Sequence, residues 1–101
     1  MTIDVYRFEF ERSVPMAEAE MSLHLSLFAV EGLFGQARVR LDAGYHIDER
    51  RRTIVVDATT EVGAAVVRVF TSLLLHEFGS DGFRVRRVTQ AQQATVEGRA
   101  A

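Results

Sequence analysis

Apolar and polar positions follow two rhythms along this chain. Residues 3–13 alternate, with Tyr6, Phe8 and Phe10 on one side and Arg7, Glu9 and Glu11 on the other. That is the period of a half-buried strand. Ser13-Val14-Pro15 interrupts it, and from Met16 to Phe34 the spacing changes to steps of three and four. Proline suits the first turn of a helix, and Glu18 then sits near the positive end of the helix dipole. Gly32 and Gly35 are available to end the helix.

This helix carries two apolar stripes. Met16, Ala19, Leu23, Leu27, Val30 and Phe34 share one face, and Ala17, Met21, Leu25 and Phe28 share a nearly opposite one. The longer stripe is expected on the sheet. The shorter one then points outward, where a contact must cover it.

Residues 36–46 alternate again. Ala37, Val39, Leu41, Ala43 and Tyr45 are expected on one face of a second strand, and Arg38, Arg40, Asp42 and His46 on the other. His46 to Arg51 reads as a charged hairpin loop, and Thr53 to Thr59 as a third strand with Ile54, Val56 and Ala58 inward. Thr60 is an N-cap candidate for a second helix over 61–78, with Gly79 at its end. Its apolar positions form a single arc: Val62, Val66, Val69, Phe70, Leu73, Leu74 and Phe78. Phe83 to Val88 is the fourth strand. Residues 89–101 are polar and small without a period, and read as a tail.

The expected fold is therefore α+β, ferredoxin-like, β-α-β-β-α-β. It has a four-stranded antiparallel sheet in the order 4-1-3-2 with two helices on one face. Residues 1–88 form one domain. A chain of 101 residues with 48% hydrophobic positions and seven Phe can build a core of its own.

Charge and composition narrow the function. The net charge of −2 gives no bulk attraction to nucleic acid or an anionic membrane. All twelve basic residues are Arg, a bias spread over every basic position and best explained by genome composition. Cysteine is absent, which excludes disulfides and thiolate metal sites and fits a reducing, cytoplasmic setting. The opening MTIDVYRFEF goes straight into alternation, so no secretory leader is expected, and no stretch is apolar enough to span a bilayer.

The leading expectation is a small, non-catalytic module that self-associates as a dimer through Ala17, Met21, Leu25 and Phe28, with Glu20, His24 and Glu31 as a polar rim. The stripe could also be covered by residues 32–36 or the tail, or by a different protein in a hetero-assembly. A second expectation places small-ligand, metal or acid–base chemistry at His46, Asp48 and His76, which the fold plan brings to one end. Their spacing matches no metal motif, and ordinary polar positions near element ends, with His76 at a helix C-terminus, account for them more simply. A third gives Arg50, Arg51 and Arg52 a phosphate contact. No catalytic residue, resident metal or cofactor is expected, because no nucleophile–base spacing and no apolar carboxylate pair is present.

Overall fold

The computed structural model describes residues 4–89. Seven elements follow in order: β1 (Asp4–Phe10), α1 (Met16–Phe34), α2 (Gln36–Asp42), β2 (Gly44–Asp48), β3 (Thr53–Asp57), α3 (Glu61–Phe78) and β4 (Phe83–Thr89). The four strands make one antiparallel sheet, β2-β3-β1-β4. The expected tail lies, from residue 90 onward, outside the described residues.

Alternation in β1 does what the pattern predicts. Phe8 and Phe10 are buried and Tyr6 packs against the same core. In register beside Phe8 stand Ile54 of β3 and Val85 of β4. The helices cover this face. Phe70 of α3 meets the Phe8 ring at 4.7 Å and 58°, a tilted pairing that suits the ring quadrupoles. Each such fully buried side chain contributes about 1.5–3 kcal/mol relative to exposure.

The α3 helix starts where its cap is. Thr60 accepts from the Gly63 amide through its hydroxyl (3.0 Å), and its own hydroxyl donates to the Asp42 carbonyl (3.0 Å). Gly63 sits against the end of β3, where a Cβ would lie 2.0 Å from the Asp57 carbonyl oxygen. Only glycine permits that approach. At the other end the Gly79 amide donates to Leu75 O at 3.0 Å.

The six-element, two-helix ferredoxin-like plan is corrected by residues 36–42. They form α2, so the order is β-α-α-β-β-α-β with three helices. From the β2 edge the sheet reads 2-3-1-4, whereas the expectation reads 4-1-3-2 from the β4 edge; the correction lies in the elements threaded onto it. Two physical reasons account for α2. First, β3 has five residues and its free edge offers partners only to Gly44–Asp48, so an eleven-residue strand there would leave most of its backbone groups unpaired. Second, Gly35 at φ 88° breaks α1 and redirects the chain, a conformation that favours glycine. Gln, Ala, Arg and Leu are then good helix formers, and Arg38 pairs with Asp42 one turn on at 3.5 Å. Arg38, Arg40 and Asp42 therefore leave the open sheet face. Of the expected inward row only Val39 is buried, and Leu41 is 84% exposed.

Candidate interaction face on the first helix

Viewed down its axis, α1 has three sectors. Ala19, Leu23 and Val30 are fully buried, with Met16, Leu27 and Phe34 packed at the edge of the same core. Ser22 and Ser26 are buried beside them. These small residues lie towards α3. The Ser22 hydroxyl donates to Glu77 Oε2 at 2.6 Å, and the Ser26 hydroxyl donates back to the Ser22 carbonyl at 2.7 Å. Small side chains at this spacing let two helices approach closely, and each hydroxyl finds its acceptor nearby.

Directly opposite lies the second stripe. Met21, Leu25 and Phe28 are 60%, 50% and 72% exposed, and Ala17 is exposed in line with them. No described residue folds back over it, including residues 32–36. Leu33 and Leu41 are also exposed but lie off this line, on another side of α1 and on α2.

One long edge of the stripe is polar. Glu20 and Glu31 are half-buried and His24 is exposed. The His24 ring meets Tyr45 of β2 edge-on, with centroids 6.4 Å apart. Glu20 faces Glu49 of the β2–β3 turn. Partial desolvation first, and then the hydrogen bond and charge of Glu49, raise the Glu20 pKa above its ordinary value, while His24 pulls it down. The contact with Glu49 has no signal in the sequence, because it joins elements far apart in the chain. The other edge carries Glu18 and, one turn on, the Glu77 carboxylate held by Ser22.

The remaining candidates are dispersed. His46 stands opposite Val55 on the face of the sheet away from the helices, since its neighbours Tyr45 and Ile47 point to the helical side. His76 is exposed in the last turn of α3, on the helical side. The sheet separates them. Asp48 is engaged in its own turn, accepting from the Arg51 amide at 3.1 Å and pairing with the Arg51 guanidinium at 3.8 Å. Among the described residues no three His, Asp or Glu side chains converge to hold a metal ion.

The three turn arginines also part company. Arg50 is exposed and Arg51 pairs with Asp48. Arg52 turns inward. Its backbone is left-handed (φ 54°), an uncommon conformation for a side chain of this size. The turn holds it there: its amide donates to Glu49 O at 3.2 Å and its carbonyl accepts from the Phe10 amide at 2.9 Å. The guanidinium donates to the carbonyls of Glu11 (2.7 Å) and Val14, tying the β1–α1 connection to the β2–β3 turn. Arg52 is a clasp inside the fold, so the run does not present three cations to a phosphate.

Among the described residues no helix is long and apolar enough to cross a membrane. Comparison with protein-family models, with characterised proteins and with solved structures finds no match to this chain.

Proposed function

We propose that this protein is a non-catalytic interaction module that works through the outer face of α1. The observation that carries this reading is the alignment of Met21, Leu25 and Phe28, each half or more exposed, on the side of α1 opposite its buried face. Single exposed apolar residues are ordinary, but three large ones in register on an otherwise well-packed helix form a patch. Full burial of such a side chain is worth about 1.5–3 kcal/mol, and covering the half or more of each that is exposed recovers the matching share against the cost of association. Its occupant is a second copy, as the sequence reading expects, or a different protein.

The test places a photo-crosslinking amino acid at Phe28 and, as a control, at Leu41, which is even more exposed but off the stripe. The expected result in the native host is a discrete adduct from position 28, absent from position 41 and lost on adding Met21→Glu. Equal labelling at both positions, or labelling indifferent to Met21→Glu, overturns the reading. Sedimentation of the purified protein identifies a second copy if that is the occupant.

A further inference from the structure

Charge is distributed unevenly over this molecule. Five ion pairs are present among the described residues: Arg38 with Asp42 and with Glu61, Arg51 with Asp48, Arg86 with Glu9, and Arg87 with Asp4. None of them involves a carboxylate that borders the outer face of α1. Residues 16–34 contain three Glu, one His and no Arg, although the chain has twelve Arg. Glu20, Glu31 and Glu49 line one flank of the stripe, and Glu18 and Glu77 the other. Glu20 and Glu49 already crowd each other, and among the described residues no arginine is paired with either.

We infer that the outer face of α1 docks a basic amphipathic helix of another protein, one with an apolar stripe flanked by Arg or Lys. The inference rests on the interaction reading above and names the partner's chemistry.

Shape, charge and side-chain chemistry select this occupant. Shape comes first: Ala17, Met21, Leu25 and Phe28 lie at intervals of four, four and three along one line, roughly 16 Å long at 1.5 Å per residue. Another helix covers such a line side by side. An extended strand gains its affinity from a sheet edge, which α1 does not offer. Charge comes second. A second copy would bring five carboxylates from each side to the rim with no arginine among them, each like-charge contact costing a few tenths of a kcal/mol. Flanking cations on a partner would instead meet Glu20 and Glu49 on one side and Glu18 and Glu77 on the other. The same rim repels nucleic acid and anionic lipid. Third, Met21 is a long, unbranched and polarizable side chain, suited to packing against a partner's irregular apolar surface.

The probes are two designed helical peptides with the same leucine seam, one flanked by Arg and Lys and one flanked by Glu. Binding is read by fluorescence anisotropy at low and at high salt. The basic peptide should bind at least about tenfold tighter than the acidic one, and the difference should shrink in high salt. Phe28→Glu should abolish binding, with its circular dichroism unchanged. The triple variant Glu18→Arg, Glu20→Arg, Glu31→Arg should reverse the preference. Equal affinity for both peptides overturns the inference. So does a tight wild-type dimer that Phe28→Glu dissociates, which leaves the interaction reading standing with a second copy as occupant. A wild-type monomer that binds neither peptide overturns the inference, and if position 28 also gives no specific crosslink, the interaction reading falls with it.

Discussion

The two long helices are nearly equal in length and lie on the same sheet, yet they use their residues differently. α3 has one apolar arc, with Val62, Val66, Phe70 and Leu74 fully buried along it and Val69, Leu73 and Phe78 partly buried. Its exposed side carries Glu61, Arg68, Ser72 and His76, with Leu75 the one large apolar exception. α1 buries an equivalent stripe and then repeats the investment on its outer side. Folding accounts for nearly all the large apolar residues of α3 but only for part of those on α1. The part that folding does not need is where a function is to be sought.

Leu23 and Leu25 break that comparison most sharply. They are two residues apart on one helix, fully buried and 50% exposed respectively. Leu23→Ala should cost about 2–5 kcal/mol in chemical denaturation, because it removes transfer energy and leaves a cavity. Leu25→Ala should stay within about 0.5 kcal/mol. A comparable loss at both positions would mean that the outer stripe is part of the core.

The seam between the helices gives the next effect. Ser22 and Ser26 hold α1 close to α3, so Ser26→Leu should destabilise by about 1–3 kcal/mol through overpacking. An unchanged denaturation midpoint would show that the helices have room to separate there.

The smallest effect concerns the rim. The Glu20 pKa is raised in the folded protein, so its acid form is favoured relative to the unfolded chain. The matching stability is fully present below the ordinary glutamate range and is lost as pH rises through the folded Glu20 value. Glu49→Gln should bring the Glu20 titration, followed by carboxyl carbon NMR, back towards ordinary and flatten that slope. A titration that does not move would place the cause in desolvation alone.

Much of this fold is legible in the chain. Thr60 and Gly79 bound α3 where the capping residues put them, and the division of α1 into a packed and an outward stripe follows from spacing alone. What was not legible depends on distant partners. Ala37, Val39 and Leu41 alternate as convincingly as a strand, and only the five-residue length of β3 and the turn at Gly35 decide for a helix. Arg52 sits in a run that looks like a surface patch, but its carbonyl acceptors at Glu11 and Val14 lie some forty positions away. Glu49 joins the rim of α1 for the same kind of reason.

The segregation of charge has a consequence before any contact is made. α1 presents acids on the helical side, while the β1–β4 half of the opposite sheet face carries Arg7, Arg84 and Arg86 against the single carboxylate of Glu9. The field that a partner meets therefore differs between α1 and the β1–β4 edge. A cation approaching along α1 is attracted before contact, whereas one approaching the β1–β4 edge meets arginines first. Orientation during diffusion is then partly settled at long range, and speed of capture becomes a property of where the charges are kept rather than of the apolar stripe they surround.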